Sequence, residues 1–158
     1  MTIRVATIKD AESISALNAD VQQLHAEALP HIFKPPSPDS FPPAKVVELL
    51  EDDNTRLFLA EAGEEAVGYL YAEVRLLPET AYRYALHQLH IHHISVQPRY
   101  HHQGYGEQLI EAAKQTAQRE GIPMVVLEVW SFNQRARRFF AKQGFTTFNE
   151  RMCLALSE

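Results

Sequence analysis

The sequence is poor in cysteine, in long apolar runs and in clustered basic residues. Its single cysteine, Cys153, excludes an intrachain disulfide and is typical of a protein in a reducing compartment. No stretch approaches the roughly 18 consecutive apolar residues that a membrane helix requires. The first residues also lack the apolar segment of a secretory signal. We therefore expect a cytoplasmic protein that makes no contact with membranes.

Basic residues are outnumbered as well, with 15 lysines and arginines against 20 aspartates and glutamates and a net charge of −5. Nucleic acid binds through clustered cations, so it is not an expected partner. A mildly acidic surface tolerates or attracts cationic small molecules and peptides. The chain of 158 residues, 46% of them hydrophobic, is long enough for one domain over residues 1–158. Small domains commonly pair, so we also expect a homodimer.

The apolar pattern that is present predicts alternating helices and strands. The first part contains a strand over 3–6, a helix that begins after Asp10, a proline-rich loop over 34–43 and a short helix over 44–51. The middle part contains a hairpin of strands 56–62 and 66–77 and a long strand over 86–96. The last part contains a helix over 104–120, a strand over 124–130, a helix capped by Asn133 and one or two strands within 146–156. This order predicts an α/β (α+β) domain in which helices cover a mixed sheet.

The junction between the long strand and the helix after it has the most informative local pattern. Gly104 and Gly106 allow a ligand to approach the backbone closely, and the N–H groups at a helix start carry partial positive charge. This predicts a polyphosphate site, although a helix start that contains glycine and binds nothing is the other interpretation. Leucine at position 109 replaces the third glycine of a dinucleotide-binding fold, and the Gly-Lys-Ser/Thr of a P-loop is absent.

Residues 96–106 resemble the acetyl-CoA-binding motif of the GNAT N-acetyltransferase superfamily. That motif is usually Arg or Gln, two variable residues, Gly, a variable residue, and Gly or Ala. Here His101 stands where Arg or Gln is usual, and His102 where glycine is common. Residues 129–145 resemble the second motif of the family. The resemblance implies a GNAT-like fold, with a mixed, mostly antiparallel sheet and about four helices, and transfer of acetyl from acetyl-CoA to an amine.

The resemblance also implies where acetyl-CoA binds. The pantetheine arm lies along Ile94, Ser95 and Val96, and hydrogen-bonds the backbone of Ile94 and Val96 like an added strand. Asn133 contacts the pantetheine, and Phe140 lies on the helix that flanks the thiol. The turn that holds the pyrophosphate comprises His101, His102, Gln103, Gly104, Tyr105 and Gly106.

The segment His90-Ile91-His92-His93 is the candidate for proton transfer. Strand alternation predicts that His90 and His92 share one face and that His93 points the other way. Histidine has the intrinsic pKa to accept a proton near neutrality. The pair resembles that of serotonin N-acetyltransferases in the same superfamily, where paired histidines are linked to a water-mediated proton path. The other interpretation is that both histidines are structural.

Two carboxylates are further candidates, because Glu73 and Glu128 each interrupt an apolar strand. A buried carboxylate has a raised pKa and can handle protons, although each such residue is more often a salt-bridged structural residue or lies on a solvated face of the sheet. Two histidines on a strand are fewer ligands than zinc requires, so we expect no metal.

The acceptor is expected to be a primary amine of a small molecule or a peptide. Its groove would involve the first helix, the proline-rich loop and the loop over 76–84, and the cation-binding candidates are Glu27, Asp39 and Asp52.

Phe140 occupies the position where the second motif often has a tyrosine acid. Phenylalanine cannot donate a proton, so water or another group must reprotonate the thiolate, or no acid is required. The same departure supports a second hypothesis, a non-catalytic module that senses acyl-CoA.

Overall fold

The computed structural model describes residues 1–156. The strands in this range are β1 (Thr2–Val5), β2 (Thr55–Ala62), β3 (Glu65–Leu77), β4 (Leu86–Val96) and β5 (Met124–Leu127). The helices are α1 (Ala11–Ala28), α2 (Pro43–Glu51), α3 (Tyr105–Arg119) and α4 (Gln134–Lys142). None of these helices combines the length and the apolar character that crossing a bilayer demands.

The chain contacts define two compact units, residues 1–128 and the residues from 129 onward. The first unit contains all five strands of the sheet, in the order β1-β2-β3-β4-β5. Neighbours are antiparallel from β1 to β4, whereas β4 and β5 are parallel. This confirms the predicted mixed, mostly antiparallel sheet and the β2–β3 hairpin. A single domain over the whole chain stays a prediction.

The two faces of the sheet are covered by different helices of the first unit. Leu57 and Leu59 of β2 pack in one core with α1 and α2, together with Tyr69 and Tyr71 of β3. Successive residues of a strand point to opposite faces, so Phe58 and its alternating neighbours face α3. All of these side chains are buried. The strands therefore have apolar residues on both faces.

The last two predicted strands differ from the structure. The strand predicted over 124–130 ends at Leu127, and no strand forms within residues 146–156. Phe148, Met152 and Leu154 in that segment are 73%, 89% and 84% exposed. An alternating apolar pattern makes a segment compatible with a strand, but a strand also needs a hydrogen-bonded partner edge. The sequence pattern cannot supply that partner.

Gly68 of β3 lies against the backbone of β4, and we expect Gly68→Ala to destabilise the fold by about 2–3 kcal/mol. An added Cβ would lie 2.7 Å from the Ser95 carbonyl oxygen and 3.1 Å from Val96 Cγ2. Because the first obstacle is backbone, the strands must separate to accommodate it. Urea unfolding measures the loss. Gly63→Asn is the control, since no atom lies within 4 Å of its Cβ position and asparagine tolerates the φ of 64°; an equal loss in both variants would contradict the packing argument.

Asp10 precedes α1 and is held by Arg4, whose Nη1 and Nη2 each lie 2.8 Å from a carboxylate oxygen. The Thr7 N–H also donates to it at 2.7 Å. The bonds from Arg4 lower the pKa of Asp10 from 3.8 to about 2. The folded state therefore holds this proton less tightly than the unfolded state, and the stabilisation, roughly 1–2 kcal/mol, is present above pH 4 and lost as the pH falls towards 2.

We expect Asp10→Asn to lower the free energy of unfolding by that amount at pH 7, and to remove the difference from wild type near pH 2. Chemical unfolding of both proteins across this range gives the comparison. A difference that stays constant with pH would show that the carboxylate charge is not responsible.

Candidate active site

A β-bulge in β4 determines where its histidines point. On β3, Tyr71 pairs with His93 whereas the next residue, Ala72, pairs with Ile91, so His92 is an extra residue in the ladder. Glu73 pairs with His90, and alternation places Tyr71 and Glu73 on one face of β3. His93 therefore shares the face of His90, and the prediction that it points the other way is wrong. Strict alternation assumes an unbroken ladder, which the bulge interrupts.

His92 lies in the middle of a stack of three rings. Its ring centroid is 4.8 Å from that of Tyr71 and 4.5 Å from that of His90, with interplanar angles of 18° and 7°. The predicted pairing of His90 and His92 on one face is thereby confirmed. Two parallel imidazoles at this distance repel each other strongly if both are charged, so the pair holds at most one added proton.

Arg75 and Glu73 assign different roles to the two imidazoles. Nη1 of Arg75 is 2.8 Å from Nδ1 of His90. A guanidinium can only donate, so His90 accepts through Nδ1 and carries its proton on Nε2. Oε1 of Glu73 accepts from Arg75 Nε at 2.8 Å, and its Oε2 lies 3.5 Å from His92 Nε2. Glu73 thus connects the arginine to His92.

The charges around these groups set their protonation. The hydrogen bond from Arg75 lowers the pKa of Glu73, so the expectation of a raised pKa for this carboxylate is wrong. Burial lowers the pKa of His92, with a further contribution from the charge of Arg75 that Glu73 opposes. Burial also lowers the pKa of His90. Both imidazoles are therefore neutral at pH 7, and His92 is the one whose Nδ1 is not engaged by Arg75.

Glu128 follows the end of β5 and is exposed, so it does not interrupt a buried strand as predicted. Its charge favours the protonated forms of both His90 and His92. A direct catalytic role for Glu128 stays a prediction.

Beyond the bulge, β4 has an open edge on the side of β5. The parallel pairing ends at Ile91 and Leu127, whereas β4 continues to Val96. The Gln97 N–H donates to the Val67 carbonyl of β3 at 2.8 Å, so alternation turns the backbone groups of Val96 and Ile94 to the other side. Within residues 1–156 no strand pairs with them there. The Val96 carbonyl accepts from His101 Nε2, so the Val96 N–H and both backbone groups of Ile94 are the ones that can receive an extended ligand, as the resemblance implies.

Ser95 is also predicted to bind the cofactor, but its side chain has a structural role. The hydroxyl is buried and donates to the Leu17 carbonyl at 2.9 Å, which joins β4 to α1. Its side chain therefore stabilises the scaffold beside the open edge.

The turn before α3 presents a run of main-chain donors. His102 and Gly104 have φ values of 61° and 87°, in the left-handed region. Among the described residues, no hydrogen bond engages the backbone N–H groups of 102–107, and the helical bonding begins with Gln108 N–H to Gly104 O at 3.0 Å. Successive free N–H groups at the start of a helix form an anion-binding concavity. The residues present thus fit the diphosphate of a coenzyme A thioester.

The side chains of this turn stabilise its conformation. His101 Nε2 donates to the Val96 carbonyl at 2.6 Å, and Gln103 Nε2 donates to the Arg99 carbonyl at 2.9 Å. Tyr105 is buried and packs edge-on against Tyr100 at 5.6 Å. The turn can therefore bind phosphate through its backbone although His101 and His102 depart from the usual motif. Sequence reasoning did not detect that His101 ties the turn to the end of β4.

In the second unit, Asn133 caps α4 as predicted, because its Oδ1 accepts the Ala136 N–H at 3.1 Å. Phe140 is buried, with its ring centroid 5.3 Å from Phe139 and 5.8 Å from Phe145. The contacts of Asn133 and Phe140 with the acyl donor stay predictions.

A cavity of about 600 Å³ lies on the face of the sheet that α2 covers. Residues of the segment 40–52 line it, together with Tyr71, Glu73 and His93. Its charged side chains are Lys45, Glu48, Glu51, Asp52 and Glu73, and Lys45 is paired with Glu48 at 2.9 Å. The lining is therefore net negative. Of the cation-binding candidates only Asp52 lines this cavity, and α2 supplies two carboxylates that the sequence pattern did not single out.

Comparison with known proteins identifies the family and the fold. The acetyltransferase (GNAT) family matches residues 19–145. An uncharacterised N-acetyltransferase of Lactobacillus delbrueckii subsp. lactis is 34% identical over 62 residues, which cover 39% of this chain and about a third (36%) of that relative. The crystal structure of a mutant Bacillus halodurans protein superposes with a TM-score of 0.95 at 21% identity, over 99% of this chain and 100% of that one. An aminoglycoside N-acetyltransferase solved with CoA has a TM-score of 0.73 at 18% identity, over 99% of both chains.

Proposed function

Because the chain belongs to the GNAT acetyltransferase family, whose acyl donor is acetyl-CoA, we propose that it transfers the acetyl group to a primary amine of a cationic acceptor. The observation that carries the proposal is the placement of His92. This imidazole is stacked between Tyr71 and His90 at the bulge where the open edge of β4 begins, with Glu73 at its Nε2.

The acceptor must lose a proton before its nitrogen can attack, because an alkylammonium has no lone pair at pH 7. We assign the base to Nδ1 of His92. Among the described residues its Nε2 makes no hydrogen bond but lies 3.5 Å from Oε2 of Glu73, which Arg75 keeps ionised. A base oriented by a carboxylate on its other nitrogen is a common arrangement in nucleophilic catalysis. His90 accepts from Arg75 through Nδ1 and carries its own proton on Nε2, so it has no free nitrogen for a second proton, and the proton taken by His92 Nδ1 passes to solvent.

The acyl donor supplies an activated thioester. This chain would bind that thioester and align it with the amine. The backbone groups of Ile94 and Val96 at the open edge would align the pantetheine arm, and the N–H groups of 102–107 would hold the diphosphate. Phe140 cannot protonate the departing thiolate. A coenzyme A thiol is a moderate base, so departure as the thiolate followed by protonation from water is consistent with this set of residues.

The net-negative cavity supports a cationic acceptor. Glu73 belongs both to its lining and to the His92 contact, so an ammonium bound among these carboxylates lies beside the proposed base. The aminoglycoside N-acetyltransferase with the same fold acts on acceptors of this charge class, which supports the proposal by analogy.

A thiol-release assay over a panel of primary amines, with acetyl-CoA as donor, tests the proposal. We expect turnover with at least one polycationic amine, and slower turnover with neutral or anionic amines of similar size. Calorimetric binding of CoA without turnover on any amine would instead support the acyl-CoA sensor, which Phe140 favours. Absence of CoA binding would contradict both functions.

A further inference from the structure

His93 occupies the same bulge but has a hydrogen bond of its own. The Asn18 side-chain N–H donates to the Tyr69 hydroxyl at 2.9 Å, and that hydroxyl lies 3.1 Å from His93 Nδ1. The Tyr69 hydroxyl is buried, and among the described residues His93 Nδ1 is the one acceptor within reach of its proton, so that proton is directed to His93. Nδ1 of His93 must then accept, and the ring proton resides on Nε2.

The surroundings hold this tautomer uncharged. The rings of Phe41, Tyr71 and Tyr69 lie edge-on around the imidazole, with centroids at 4.9, 5.4 and 6.1 Å. Burial lowers the pKa of His93 to about 4 and raises that of Tyr69, so both groups keep the neutral form at physiological pH. His93 is therefore a poor base there, unlike His92.

His93 also lines the cavity assigned to the acceptor. Because Tyr69 occupies Nδ1, the only polar group that this ring can offer a molecule in the cavity is the Nε2–H. An N–H donor requires an acceptor atom on that molecule. The surrounding carboxylates repel an anion, so the matching group is an uncharged oxygen.

We propose that His93 selects the acceptor by donating a hydrogen bond from Nε2 to an uncharged oxygen close to the reactive amine, as in an amino alcohol. Tyr69 acts as a positioning residue that fixes the tautomer of His93. The substrate class is then a cationic amine that bears a hydroxyl or carbonyl oxygen, in preference to a plain alkylamine. This inference rests on the proposed function, because the cavity is the acceptor site only if the protein acetylates amines.

The test compares matched acceptors, trans-2-aminocyclohexanol and cyclohexylamine, in the acetyl-CoA assay. We expect the ratio of their kcat/KM values to fall about tenfold in His93→Leu relative to wild type, the effect of losing one hydrogen bond. Differences in intrinsic amine reactivity cancel, since the same pair is measured with both enzymes. The loss should appear mainly in KM for the amino alcohol.

His93→Gln is the matched control, because its amide can accept from Tyr69 and donate into the cavity without titrating. We expect it to retain the wild-type ratio and pH profile. Nitrogen-15 NMR of the wild type should find the Nε2–H tautomer of His93, with a mixture of tautomers in Tyr69→Phe. An Nδ1–H tautomer in the wild type, or an unchanged ratio in His93→Leu, overturns the proposal.

Failure of the proposed function and failure of the inference about His93 can be distinguished. If no amine is acetylated, the proposed function fails, and titration of aminocyclohexanol against the His93 Nε2–H resonance still decides whether this group binds the oxygen. A shift with the amino alcohol and none with cyclohexylamine supports the inference; identical behaviour of the two ligands contradicts it.

Discussion

Replacing His92 with glutamine is expected to lower kcat for the amine acceptor by about 100-fold or more, the usual contribution of a general base. Glutamine fills a similar volume and can place its amide N–H beside Glu73, but it cannot take a proton from the ammonium. KM for acetyl-CoA should change little. Steady-state kinetics with the best amine of the panel measures both parameters.

The pH profile identifies the group responsible. Activity of the wild type should rise with pH as His92 loses its proton, and this rise should lie below pH 6.5 because burial and Arg75 lower the pKa of His92. In His92→Gln the rise should disappear. Glu73→Gln should displace it to lower pH, because removing the carboxylate removes a charge that favours the protonated imidazole.

His87→Gln is the matched control for this experiment. His87 lies on the same strand, β4, and pairs with Leu76 outside the ring stack. The substitution is identical and should leave kcat and its pH dependence unchanged. Equal losses in both variants, or an unaltered pH profile in His92→Gln, would remove His92 from the mechanism.

Gly104→Ala is expected to weaken CoA binding at least tenfold while the protein remains folded. The φ of 87° at Gly104 costs an alanine about 1–2 kcal/mol, which favours a rearranged turn in which the N–H groups of 102–107 no longer converge. The Cβ itself has room within the protein, since its nearest neighbour is Met1 Cε at 3.6 Å. Isothermal titration with CoA measures the affinity.

The far end of the same helix provides the control. Gly121 also has a positive φ, 67°, and no atom lies within 4 Å of its Cβ position. Gly121→Ala should therefore destabilise the protein to a similar extent and leave CoA affinity unchanged. If both variants lose affinity in proportion to stability, the turn before α3 is not the diphosphate site.

Much of the fold could be predicted from local patterns. β4 spans Leu86–Val96 as expected, and the hairpin and the helices lie within two residues of their predicted bounds where propensity and turn residues agree. The absence of strands within 146–156 shows the limit of prediction from local patterns. β-compatible residues form a strand only beside a partner strand that lies elsewhere in the chain. Glu73 shows the same limit for electrostatics: its place in an apolar strand is visible in the sequence, but Arg75, two residues away, lowers its pKa.

The sequence by itself determined the family, through the spacing of Gly104 and Gly106 after a strand and the second motif around Asn133. It also determined that a pair of histidines lies on the predicted cofactor strand, shortly before Ile94. Only the tertiary structure decided what each histidine in that segment does. The bulge at His92 returns His93 to the face of the cavity, Arg75 fixes the tautomer of His90, and Tyr69 fixes that of His93. These roles depend on hydrogen bonds between different strands, and the register that brings those strands together is not encoded in the spacing of the histidines along one of them.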